Sequence, residues 1–233
     1  MSARDTATFL HRCPVFAGLP AREVEALGAV ASEARYRARE YIFMEGDPAR
    51  WLCLVREGRV KILRHSRTGK DVVLDLLGPG ELFGGVAVIE QLPYPATAQA
   101  LEPSAVVRIG ADVMIGLSER HPAMVRELAL LIGRRLRTAH DSVKSLAVDP
   151  VETRLASAVL RLGEREGQPG QGGLVLPFHL TRQSLADMTG TTVETTIRVV
   201  SRWLKDGLVT DESGRFALRD LQALRDLAAG EAD

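Results

Sequence analysis

The sequence predicts an α+β fold in three parts: an N-terminal β-roll, a long helix and a C-terminal winged helix-turn-helix. Three observations carry this. Short apolar runs broken by glycines fill residues 34–109, one helical stripe runs through residues 122–148, and two capped helical segments meet at Gly190. With 233 residues, 45% of them hydrophobic and 26% charged, the chain can build two ordinary domains with real cores. We divide it into residues 1–118, 119–148 and 149–233.

The roll comes first. Runs at residues 51–55, 60–63, 72–77 and 106–109 are separated by Glu57-Gly58, Thr68-Gly69 and Gly78-Pro79-Gly80, where glycine takes backbone angles other residues resist. About eight short strands fit this stretch, enough to curl into a small barrel or roll with an apolar interior. Beyond Pro122, apolar side chains recur at Leu128, Ile132, Leu136, Ala139, Val143 and Leu146, which places them on one helical stripe ended by Asp149-Pro150. Such a helix is ~38 Å long, too long for one small roll to cover. It could pack on its own chain, but the near-heptad spacing favours a parallel two-stranded dimer with those six residues at the interface.

Residues 152–163 read as a further amphipathic helix, 167–173 as a glycine-rich spacer and 174–176 as a short strand. Thr181 is a good N-cap for a helix over 182–189, Gly190 supplies the turn, and Thr191 or Thr192 caps a second helix running to about Asp206. Leu185, Ala186, Val193, Ile197 and Val200 are spaced to pack the two helices together. Gly207-Leu208-Val209, Ser213-Gly214 and Phe216-Ala217-Leu218 look like a wing of two strands and a tight turn. On the other face of the second helix stand Glu194, Thr195, Arg198 and Arg202. An Arg there can grip guanine O6 and N7, and a carboxylate one turn earlier can accept from cytosine N4. The same spacing also suits a plain salt bridge on a solvated helix. Thr181, Arg182 and Gln183, at a helix N-terminus, suit a phosphate oxygen, although plain capping explains Thr181 equally well.

Several classes are disfavoured. The 30 basic and 30 acidic residues cancel, and residues 149–233 hold 10 basic against 13 acidic, so a nucleic-acid reading rests on local placement. Apolar runs are short, and the best is closed by Arg134 and Arg135, so no membrane span is expected. Charges around a weak apolar patch in residues 1–12 argue against a secretory signal and for a cytoplasmic protein. Cys13 and Cys53 cannot hold a four-thiolate cluster; Cys53 reads as a buried small hydrophobe, Cys13 as an exposed thiol, and a redox pair between them stays open. His11, His65, His121 and His179 are scattered without metal-ligand spacing and read as surface or capping residues. We find no phosphate loop, nucleophile–base pair or metal triad, so no enzyme and no metal site is expected.

The whole chain resembles the superfamily of the cyclic-AMP receptor protein and the fumarate-nitrate regulators. The matches are Cys13-Pro-Val-Phe-Ala-Gly-Leu-Pro20, Val55-Arg-Glu-Gly-Arg-Val-Lys61, Leu77-Gly-Pro-Gly-Glu-Leu-Phe-Gly84, Arg134-Arg-Leu136 and, most specific, the unbroken run Leu180 to Arg198. The resemblance implies a roll of the cyclic-nucleotide-binding type acting as sensor, a dimer helix, and a DNA-binding domain contacting double-stranded DNA through Thr181, Arg182, Gln183, Thr191, Thr192, Glu194, Thr195, Arg198 and Arg202. Glu194 and Arg198 fall on the family's base-reading pair, which implies a TGA-containing inverted repeat. Val193 matches the fumarate-nitrate type, while Ile197 replaces its serine and leaves the outermost base open. RNA polymerase is the partner such regulators imply.

An effector pocket is expected at Gly84, Gly85, Tyr94, Ala96 and Thr97, with Ala139 and His140 facing it from the dimer helix. By the resemblance, Gly85 stands where the family's ribose-binding Glu belongs, and Tyr94 and Pro95 where its phosphate-binding Arg and Ser belong. Residues 83–100 contain neither Arg nor Lys, and burying a phosphate without a cation is expensive. Cyclic AMP in the usual mode is therefore not expected. Tyr94-Pro-Ala-Thr-Ala-Gln-Ala100 resembles the nitric-oxide-responsive, haem-associated branch, in which His140 would be the candidate axial ligand; a surface role for His140 is the plainer reading. An effector-independent regulator or a protein-binding adaptor is the remaining alternative.

Overall fold

The computed structural model describes residues 2–65, 71–170, 172–212 and 215–230. Its contacts divide into two compact units, Met1–Arg137 and Thr138–Asp233.

In the first unit, α1 (Ala3–His11), α2 (Pro14–Ala17) and α3 (Ala21–Val30) precede the roll. The Ser2 hydroxyl accepts from the Asp5 N–H while the Asp5 carboxylate accepts from the Ser2 N–H, a reciprocal cap that starts α1. The roll strands are β1 (Ser32–Tyr36), β2 (Tyr41–Phe43), β3 (Trp51–Glu57), β4 (Val60–His65), β5 (Asp71–Leu77) and β6 (Leu82–Phe83). After α4 (Gly85–Glu90) come β7 (Thr97–Ala100), β8 (Ser104–Gly110), α5 (Ala111–Arg120) and the long α6 (Pro122–Val148). Two antiparallel four-stranded sheets result, ordered β1-β8-β3-β6 and β2-β7-β4-β5.

Strand β3 shows why its sequence reads as almost continuously apolar. Side chains alternate across a sheet, so Leu52 and Leu54 join the N-terminal helices in one cluster with Leu10, Phe16 and Leu27. Cys53 and Val55 point the other way, into the space between the sheets, with Val60, Leu77, Phe83 and Val106. Both faces are buried, which leaves no polar alternation to see.

The second unit takes in the end of α6, then α7 (Val151–Glu166), β9 (Gln168–Gly170), β10 (Gly173–Val175), α8 (Arg182–Thr189), α9 (Val193–Lys205), β11 (Val209–Glu212), β12 (Arg215–Leu218) and α10 (Leu221–Ala229). Its sheet is ordered β11-β12-β10-β9. Leu155, Val159, Phe178, Leu185, Val200, Trp203, Phe216 and Leu218 are fully or almost fully buried and form its core.

The sequence expectations need three changes here. The spacer at 167–173 holds strand β9, and its glycines serve close approach: a Cβ on Gly173 would run into the Leu218 carbonyl. Cys13 is buried in the cluster beneath the N-terminal helices and Cys53 in the cluster between the sheets, so the exposed thiol and the redox pair are withdrawn. The expected turns at Thr68-Gly69 and Ser213-Gly214 lie outside the described residues.

Burial raises the Cys13 thiol above its ordinary value and pushes Cys53 up to about 12. The folded protein keeps a proton that the unfolded thiol releases near pH ~8.5. The contribution of Cys53 to stability is therefore intact below that pH and is lost as pH rises toward about 12. At pH 8 the native protein should leave both thiols unreactive toward Ellman's reagent and expose both on denaturation. Prompt reaction of either thiol in the native state would contradict this packing.

Candidate functional site

Thr181 caps α8: its Oγ1 accepts from the Ser184 N–H at 3.0 Å. Gly190 follows with φ +61°, left-handed geometry that favours glycine, and a Cβ there would lie 2.7 Å from Leu146 Cδ2. Thr191, half-buried, donates its N–H back to the Ala186 carbonyl at 3.1 Å. Thr192, not Thr191, is the cap of α9, accepting from the Thr195 N–H at 3.2 Å and donating to the Thr195 hydroxyl at 3.1 Å. These bonds fix both helix starts and the turn between them.

Helix α9 is buried along one side only. Thr196, Val199, Val200 and Trp203 face the core. Thr196 is tolerated there because its hydroxyl returns to the Thr192 carbonyl at 3.0 Å. The Trp203 indole N–H donates to Glu152 at 2.8 Å, and the other oxygen of that carboxylate pairs with Arg202. Glu152 of α7 thus clamps the last turns of α9.

Glu194 and Arg198 stand on the opposite side, both exposed and without an ion pair among the described residues. The possible i,i+4 salt bridge is not formed, so a carboxylate and a guanidinium remain free for an outside partner. Ile197 is 48% exposed beside them. This corrects the expectation that it packs the two helices: Thr196 and Val199 hold that place, and Val193 is only half-buried. Arg202 is a second correction, because Glu152 already holds its guanidinium. Of the residues before the turn, Thr181 and Gln183 are exposed, and Gln183 donates to Asp187 at 2.7 Å. Arg182 lies over the Phe216 ring, 5.2 Å from its centroid, and partial burial lowers its pKa somewhat.

The roll carries a cavity of about 120 Å³. Gly84, Gly85, Tyr94 and Ala96 line it. Thr97 does not: it is fully buried, and its hydroxyl accepts from the Glu45 N–H at 3.0 Å. Within the first unit the lining residues of α6 are Leu128, Leu131 and Ile132; Ala139 and His140 belong to the second unit and are exposed. No His or Cys is among the cavity-lining residues, and the hydroxyl of Tyr94, which is, donates to the Trp51 carbonyl and accepts from the Trp51 N–H. No cluster of His, Cys, Asp and Glu able to hold a metal occurs among the described residues.

The α6 stripe is mostly bare within one chain: Ile132 is 42% exposed, Leu136 54%, Val143 65% and Leu146 48%. Ala139 is exposed as well. Leu128 is the exception at 4%, packed into the roll core, and is withdrawn as an interface residue. No helix among the described residues is long and apolar enough to cross a membrane.

Residues 33–121 match the cyclic nucleotide-binding domain family, and residues 153–227 match the Crp-like helix-turn-helix domain family. The chain is 32% identical to a cyclic AMP receptor protein of Thermus thermophilus over 94% of its length and 98% of the relative's. It is 26% identical to the transcriptional activator protein anr of Pseudomonas aeruginosa, over 92% and 88% of the two chains. Its fold is similar to that of FixK2 from Bradyrhizobium japonicum, with a TM-score of 0.75 and 26% identity over 85% of this chain and 97% of the other.

Replacing Glu152 by Ala leaves the buried Trp203 N–H without its acceptor and should lower stability by ~1–3 kcal/mol in urea unfolding of the full chain. Glu152→Gln, which keeps an acceptor oxygen, should lose less. Equal stability of wild type and Glu152→Ala would show that the clamp contributes nothing.

Proposed function

The chain belongs to the Crp/Fnr family of transcription regulators, and on that premise we propose that it binds DNA as a homodimer at an inverted repeat whose half-sites contain TGA. It is a DNA-binding regulator and not an enzyme. The observation that carries the finer reading is the unpaired, outward Glu194 and Arg198. Arg198 grips guanine O6 and N7 from the major groove, and Glu194 accepts from a cytosine amino group. Thr181 and Gln183 position the helix on phosphate, assisted by the cap residues Thr192 and Thr195 near the N-terminus of α9. Arg182 reaches phosphate only by leaving its stacking contact with Phe216, which makes it a weaker contributor. Two such helices fit major grooves about one turn, ~34 Å, apart.

The dimer forms through Ile132, Leu136, Ala139, Val143 and Leu146, apolar positions that water covers in a single chain. We keep the functional division into a sensor over 1–118, a dimer helix over 119–148 and a DNA-binding domain over 149–233. The effector binds at the roll and is not cyclic AMP held in the family's usual way, since the cavity walls carry no charged side chain for a phosphate. The protein works in the cytoplasm, with RNA polymerase as its partner at the promoter.

Arg198→Ala should weaken binding to the repeat by ~1–3 kcal/mol and flatten discrimination at the guanine. Equal weakening on every sequence in a competition assay would mean that Arg198 touches only phosphate. Leu136→Asp should give monomers in sedimentation and abolish binding to the repeat. A stable dimer would refute the stripe as the interface.

A further inference from the structure

We infer that the roll cavity binds a compact, uncharged aromatic molecule of about the size of toluene or indole, and that this molecule touches the dimer helix directly. The inference rests on the reading of the roll as the effector site and adds the chemical class of the effector.

The chemistry of the walls comes first. Phe43, Ile62, Leu82, Phe83, Ala96 and the three α6 residues Leu128, Leu131 and Ile132 present hydrocarbon, and Gly84 and Gly85 present no side chain. Tyr94 supplies a side-chain hydroxyl, and that group is spoken for: it donates to the Trp51 carbonyl at 2.7 Å and accepts from the Trp51 N–H at 3.0 Å. Burial raises its pKa to about 12, so it stays neutral. The nearby cation on α6, Arg135, is held as well, donating to the Leu82 carbonyl at 2.7 Å and facing Asp75 at 3.6 Å. A phosphate entering here would lose its hydration and meet no side-chain cation in the lining, leaving it only the backbone N–H groups at the start of α4.

Size and shape point the same way. At about 120 Å³ the cavity is close to the ~150 Å³ of an apolar cavity that stays dry and takes up benzene. One wall is flat: the Phe43 and Tyr94 rings stack at 3.6 Å with an interplanar angle of 8°, and Phe83 lies 5.8 Å from Phe43. Such a wall suits a planar ligand. Neither glycine of the wall has room for a side chain: a Cβ on Gly84 would meet Tyr94 at 3.0 Å and one on Gly85 would meet Leu52 at 2.9 Å. Ile132 both lines the cavity and lies on the exposed α6 stripe, so an occupant presses on a residue that the dimer uses.

The test is calorimetric titration of the full-length protein with indole and with toluene, with cyclic AMP in parallel. The expected result is saturable binding of an aromatic probe below about 1 mM, one per chain, and no heat from cyclic AMP at the same concentration. Ala96→Leu fills the cavity, and Val86→Asp places a carboxylate in its lining at a position 43% exposed, where folding is not at stake. Each should weaken the aromatic probe about tenfold or more. Saturable cyclic AMP binding, no binding of either probe, or wild-type affinity in both variants would overturn the inference. Probe binding by the Leu136→Asp chain alone would overturn it too, since a second copy's helix would then be the occupant. Because the readout is direct binding, a failure on operator DNA does not touch it, and a failure here leaves the DNA reading standing.

Discussion

Helix α9 must be buried on one side and bare on the other, and most of the second unit follows from that constraint. Trp203 and Val200 sink into the core, Thr196 joins them by returning its hydroxyl to the backbone, and Glu152 holds the last turns through Trp203 and Arg202. With those positions fixed, helical geometry leaves Glu194 and Arg198 no choice but to face outward, a turn apart and without partners among the described residues. The free charges are thus a result of packing. A helix anchored less firmly at Trp203 would present the same two side chains in a spread of directions, which suits attraction to DNA but not the reading of a base pair.

Much of this was legible in the sequence, because the devices involved are local. Threonine caps at 181 and 192, a left-handed glycine at 190 and the period of the α6 stripe act over a few residues, and the elements they bound fall where the pattern places them. What sequence missed depends on distant partners. Arg202 looks like another outward cation until Glu152, fifty residues earlier, is found against it. Ile197 looks the better core residue by type, yet Thr196 shares the buried face with Val199, Val200 and Trp203 and satisfies its hydroxyl on the Thr192 carbonyl. Leu128 continues the stripe in sequence but lies where α6 still rests on the roll. The helices α1 and α10 went unread, although Ser2 with Asp5 and Asp220 with the Ala223 N–H are recognisable caps.

The two units differ in kind. The second exposes charge and buries hydrocarbon in the ordinary way, whereas the cavity of the first has walls mostly of hydrocarbon, with the Tyr94 hydroxyl and the Arg135 guanidinium held by backbone carbonyls. The lining carries no charged side chain, in keeping with the lack of Arg and Lys over residues 83–100. Helix α6 contributes residues to both units, and it supplies the stretch of chain through which a change at the roll could bias the DNA-binding part.

The most direct test of base reading couples one atom of the protein's partner to one side chain. Operator DNA is made with 7-deazaguanine at the guanine of each half-site, removing N7 alone, and affinities are measured for wild type and Arg198→Ala on both DNAs. The account predicts that the loss of N7 weakens wild type clearly and the variant hardly at all, a coupling of ~1–3 kcal/mol. Equal weakening of both proteins would contradict it, because Arg198 would then not be the group that holds the guanine.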